Sequence, residues 1–140
     1  MCKSKFLLAG ILIAVACFPA TAVSSQTDFD AFWIKFKTAV VNKDKATVAN
    51  LTKFPLAMPF GVKDIRTRGQ FLKDYDHIMN MEANAARCFQ VTKPEQDQKR
   101  WGVWCTFKSE PESSENRPIQ YSFAKTKTGW KFAGLDNINE

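Results

Sequence analysis

The 140-residue chain has one histidine, His77, and only two tyrosines. It contains no Gly-x-Ser-x-Gly elbow, no glycine loop of the phosphate-cradling kind and no spaced cluster of histidines with carboxylates. These absences remove the common signatures of nucleophilic, nucleotide-dependent and metal-dependent enzymes. With one imidazole the chain also has little means of moving protons near neutral pH. No metal or cofactor is expected. Long apolar runs are equally scarce: the only one covers residues 6–16, well short of the ~20 that span a bilayer as a helix. No transmembrane span is therefore expected. There is no repeat, internal linker or second composition regime, so residues 23–140 are expected to form a single domain.

What is present begins with a leader. Met1-Cys2-Lys3-Ser4-Lys5 is a short cationic stretch, Phe6 to Ala16 is the apolar block, and Ala20-Thr21-Ala22 offers small side chains where a signal peptidase needs them. Residues 1–22 are expected to be a cleaved signal peptide, with the cut before Val23 and a periplasmic or secreted product. A second route is open, because Ala14-Val15-Ala16-Cys17 resembles a lipobox. Acylation of Cys17 would tether the same domain to a membrane surface. Of the four cysteines, cleavage before Val23 leaves Cys88 and Cys105, which are expected to form a disulfide in an oxidising compartment. The net charge is +6, and Lys3 and Lys5 depart with the leader. The remaining mild basicity permits contact with anionic polymers without requiring it.

Aromatic residues make up 13% of the chain, with twelve Phe and four Trp, enough for a real core in a small domain. Phe29, Phe32, Trp33, Phe36 and Val40 recur at three- and four-residue steps, the mark of an amphipathic helix starting near Thr27. Asn42-Lys43-Asp44 breaks it and caps a second helix over Lys45 to Thr52. The stretch Phe54 to Gly61 holds two prolines and reads as extended, an edge strand. Thr67-Arg68-Gly69-Gln70 is a capping box that opens a third helix to about Asn80, burying Phe71, Leu72, Tyr75, Ile78 and Met79. Beyond Ala86 the period changes to two. Cys88 to Val91 and Trp101 to Phe107 read as strands, Ser109 to Pro118 as a solvated loop, and Ile119 to Phe132 as a terminal hairpin turning at Gly129.

The expected class is α+β, with three N-terminal helices packed on a curved antiparallel sheet of about four strands. This order resembles the NTF2-like (cystatin-like cone) fold. More narrowly, Phe32-Trp33 through Val40 with Asp44, Phe54-Pro55-Leu56, the helix from Phe71 to Ile78, Arg87-Cys88-Phe89, Cys105 and Gly129-Trp130-Lys131-Phe132 resemble a group of small secreted bacterial proteins of unassigned activity. The resemblance implies a fold and a compartment, and it carries over no functional residue.

An NTF2-like cone implies a cavity between sheet and helices, where enzymes of this fold place an Asp, His or Tyr. Asp74-Tyr75-Asp76-His77 on the third helix is the segment to inspect. At 100° per residue the buried stripe centres near Tyr75, with Asp74 beside it and His77 almost opposite, toward water. Asp74 and Tyr75 are thus the candidate catalytic pair, although a tyrosine hydroxyl satisfied by a nearby acid is the plainer arrangement. Lys99-Arg100-Trp101 with Trp104, Lys125, Lys127, Trp130 and Lys131 interleaves bases with aromatics, as binders of single-stranded nucleic acid do. Export excludes nucleic acid as a partner, and the aromatics are expected to pack inward with lysines along the edges. The function that follows is an exported, non-catalytic binding or envelope-accessory domain for a small apolar ligand, a peptide or an envelope protein. Two alternatives stand beside it: an NTF2-like enzyme using Asp74 and Tyr75, and a periplasmic inhibitor or immunity-type protein that inserts the loop Ser109 to Pro118 into a target.

Overall fold

The first long helix, α1 (Ser25–Val41), buries Phe29, Phe32, Trp33, Phe36 and Val40 along one stripe and leaves Asp30, Ile34 and Lys35 in water. The structure, a computed structural model, describes residues 25–59, 63–98 and 100–139. The leader, with Cys2, Cys17 and the cut before Val23, lies outside them. Helix α1 ends where Lys43 adopts a left-handed φ of 55°. Asp44 then caps α2 (Lys45–Asn50), accepting from the Thr47 amide at 3.1 Å and the Thr47 hydroxyl at 2.6 Å. Those two bonds hold the Asp44 carboxyl below the usual carboxylate range.

Strand β1 (Thr52–Ala57) follows, carrying Pro55. Helix α3 (Arg68–Asn80) starts on the expected box: the Gln70 amide donates to Thr67 Oγ1 at 3.2 Å, and the Arg66 amide donates to Gln70 Oε1 at 3.0 Å. Its stripe is buried as expected, with Leu72 half-buried, and His77 is exposed.

The segment read as a strand at Cys88 to Val91 is instead a helix, α4 (Ala85–Val91). Asn84 caps it by accepting from the Arg87 amide at 3.0 Å, and Ala85, Cys88 and Phe89 turn inward at helical spacing. Four strands of the sheet come after β1's long excursion through the helices: β2 (Glu95–Asp97), β3 (Arg100–Cys105), β4 (Ile119–Thr126) and β5 (Gly129–Asn137).

The described residues thus form four helices and five strands, where three helices and about four strands were expected. The sheet order is β1-β5-β4-β3-β2. It is mixed rather than antiparallel, because β1 lies parallel to β5 while the other neighbours run antiparallel. β1 and β5 meet in parallel because the chain between them passes through α3, α4 and three strands before returning. The extra strand, β2, comes from the polar run after Lys93. It is three residues long, wholly exposed and held only by pairing to β3, so it leaves no hydrophobic alternation to read.

Inward-facing residues of the sheet are Val103 and Cys105 of β3, Ile119, Tyr121 and Phe123 of β4, and Trp130 and Phe132 of β5. Helix α1 lies on this face. Phe123 is wholly buried, with the rings of Phe36, Phe32, Trp33 and Phe29 at centroid distances of 5.3, 5.6, 5.7 and 5.8 Å. Phe29 also stacks on Trp101 at 4.3 Å. Cys88 of α4 is disulfide-bonded to Cys105 at the end of β3, tying the helical layer to the sheet. No helix among the described residues is long and apolar enough to cross a membrane.

Candidate functional site

The space between α1 and the inner face of the sheet is filled by the aromatic rings around Phe123. The candidate pair of the third helix lies apart from that centre. Asp74 is half-exposed and makes no ion pair or hydrogen bond among the described residues. Tyr75 is 2% exposed and packs edge-on against Phe71 at 5.9 Å, with the Lys45 ammonium 5.3 Å from its ring centre. Lys45 also pairs with Asp76 at 2.7 Å. Burial, with the Asp76 and Asp44 charges adding, pushes the Tyr75 phenol up to about 12. Such a phenol keeps its proton, so it donates hydrogen bonds and is a poor base. Tyr75 lines a small cavity among the helices, and Asp74 is not among the residues that line it. Tyr121 is buried more completely, and its phenol is raised further by burial, then by the Glu82 carboxylate and Tyr75.

The basic and aromatic residues of the sheet separate as expected, with one exception. Trp130 is buried and Trp101 is half-buried against Phe29. Trp104 turns to the opposite face, where its ring lies so close over Gly102 that a Cβ there would meet it at 2.8 Å. The loop Ser109 to Pro118 is not free in solvent. Arg87 pairs with Glu112 at 3.4 Å, Arg117 donates to Thr92 Oγ1 and to the Ser114 and Glu112 carbonyls, and the Ser114 hydroxyl donates to Glu110 at 2.6 Å.

On the face of the sheet away from α1 lies a groove of about 290 Å³ across β1, β5 and β4, reached also by Arg100 of β3. Its floor is Ser122, Ala124, Ala133 and Gly134, and Lys53, Arg100 and Asp136 stand on its rim. A register shift makes this floor: Ser122 pairs with Gly134 and Phe123 with Phe132, which leaves Ala133 bulged out of the ladder. A Cβ at Gly134 would sit 2.8 Å from the Ser122 hydroxyl, which donates to the Gly134 carbonyl, so any larger residue there would have to displace that hydroxyl. Among the described residues the side chains of Lys53, Arg100 and Asp136 have neither an ion pair nor a hydrogen bond. Sequence reasoning missed this groove, because its floor is assembled from small residues on separate strands. Only the alternation of Gln120, Ser122 and Ala124 opposite Ile119, Tyr121 and Phe123 marked an outward face. Among the described residues no cluster of three or more His, Cys, Asp or Glu side chains suits a metal ion.

No protein-family model matches the chain, and no curated protein matches it. Among solved structures the chain is similar to a protein from Streptomyces avermitilis, described as a candidate dehydratase from the NTF2-like family. Identity is 15%, over 81% of this chain and 96% of that one, with a TM-score of 0.42.

Proposed function

We propose that the protein is an exported, non-catalytic binding domain that holds a peptide segment of a partner on the outer face of its sheet. One observation carries this reading: a groove floored by small side chains and a bulged strand, with unpaired charges of both signs on its rim. A peptide offers amides and side chains of either sign to such a rim, which an apolar small molecule does not. The aromatic filling between helices and sheet argues against a reaction chamber there, and the proton-retaining Tyr75 argues against acid–base work with Asp74. Export rests on the leader sequence and accords with the Cys88–Cys105 bond, which suits an oxidising compartment. An NTF2-like identity accords with the order of helices followed by strands and assigns no residue a role.

The test fills the groove. Ala124→Trp and Ala133→Trp, both on its floor, are expected to abolish capture of the partner peptide by protein recovered from its native host, at unchanged melting temperature. Retention of the partner by both variants would exclude the groove. Asp74→Asn is expected to leave capture intact.

A further inference from the structure

Away from the sheet groove, the last turns of α1 and α3, the start of α4 and the segment after β3 enclose a cavity of about 310 Å³. Its polar lining is Lys43, Tyr75, Asn80, Asn84 and Lys108, and Val40 and Met79 contribute hydrocarbon. No Asp or Glu lines it. Of the nearby acids, Asp44 is engaged with Thr47, Asp76 with Lys45, and Glu82 with Asn137 Nδ2 at 2.9 Å, while Asp74 has no side-chain partner among the described residues and does not line the cavity.

The lining is consequently rich in donors, several of which have no acceptor partner among the described residues. Lys43 has no side-chain partner among the described residues, and the Lys108 ammonium donates only to the Asn80 carbonyl, at 3.2 Å. The Lys108 bond suits a cation at the C-terminal end of a helix, but it leaves Lys43 without a role. Asn84 commits its side-chain oxygen to the Arg87 amide, so the group it has left to offer is its NH2. The Tyr75 ring is buried, and its hydroxyl has no hydrogen-bond partner among the described residues. That hydroxyl is not itself sealed from solvent, and the side chain lines the cavity, so it is free to donate to a molecule bound there. Two ammonium groups, a phenol and an amide NH2 around a hydrocarbon-sided space make up the complement of an anion with an apolar body.

We propose that this cavity is a binding site for a small organic carboxylate. Lys43 and Lys108 neutralise the carboxylate, the Tyr75 hydroxyl and the Asn84 amide donate to its oxygens, and its hydrocarbon lies against Val40 and Met79. The cavity volume is at the low end of the ~300–1,000 Å³ usual for ligand pockets, which restricts the ligand to a small molecule. The site is separate from the sheet groove and does not depend on it.

Benzoate tests the proposal, with benzamide as its uncharged counterpart and inorganic phosphate as an anion lacking hydrocarbon. Amide chemical shifts of the whole mature chain are expected to move saturably with benzoate around Asn80, Asn84 and Lys108, and benzamide is expected to bind about tenfold more weakly. Lys43→Met changes an exposed side chain and so leaves the fold intact. With Lys108→Met and Tyr75→Phe it is expected to weaken benzoate about three- to tenfold, while the groove variant Ala133→Trp leaves benzoate binding unchanged. Equal binding of benzoate and benzamide, preference for phosphate, wild-type affinity in Lys43→Met, or no saturable shift up to about 20 mM benzoate would each overturn the proposal.

Discussion

Tyr75 and Tyr121 are the only tyrosines in the chain, and both are buried, so phenolate absorbance reads these two sites without an exposed background. Unfolded phenols ionise near their ordinary value of 10.0, whereas folded Tyr75 holds its proton to about 12. Between those values the unfolded chain has lost a proton that the folded chain keeps, so stability is full below pH 10 and falls as pH rises toward 12. Tyr75 therefore contributes a loss of stability across that window, with Tyr121 adding to it. Absorbance at alkaline pH, followed together with tryptophan fluorescence, is expected to rise only as the protein unfolds. A smooth titration centred near pH 10 in folded protein would contradict the burial of both phenols. Helical periodicity alone located Tyr75 in the core and Asp74 beside it. Periodicity cannot say which elements face a side chain, and Lys108, which lines the same cavity as Tyr75 from the segment after β3, was invisible to it.

Capping chemistry made the helices legible, and its neglect caused the one misassigned element. Thr67 and Gln70 marked the start of α3, and Thr67→Ala is expected to cost about 1 kcal/mol in denaturant melts. Asn84 marked α4 equally well, but the apolar alternation around Cys88 to Val91 was read as strand. In so short a segment the two periods are hard to separate, and the cap together with Ala85 and Cys88, three apart, decides for helix. The bond from Cys88 to Cys105 links positions 17 apart in sequence, and its loss in Cys105→Ala is expected to lower stability by about 3 kcal/mol. The loop Ser109 to Pro118 belongs to the same corner through Arg87, Thr92 and Arg117. Its replacement by a short glycine linker is therefore expected to lower the melting temperature, and an unchanged melt would show that those bonds contribute nothing. The strand β2 offered no signal, because a three-residue polar edge strand is specified by its neighbour rather than by its own pattern.

For the whole molecule, the layered α+β plan was readable because Phe29, Phe32, Trp33 and Phe36 recur at helical spacing while Ile119, Tyr121 and Phe123 alternate, which leaves few alternatives to one helix laid across one sheet. The parallel pairing of β1 with β5 was not readable, since it depends on where a distant strand returns. Phe123 stands at the centre of the filled interior, and Phe123→Ala is expected to cost about 3–5 kcal/mol, measured by denaturant unfolding. A cost below about 1 kcal/mol would mean that the interior is loose enough to admit a ligand. With that space filled, the proposed peptide site falls on the outer face of the sheet, and the proposed export sets which partners could reach it. Native mass spectrometry of the protein recovered from its host tests both points together. The expected species begins at Val23, is lighter by the two hydrogens of one disulfide, and carries a bound peptide that Ala133→Trp loses. A chain intact from Met1, with Cys88 and Cys105 both free and no added mass, would contradict the account.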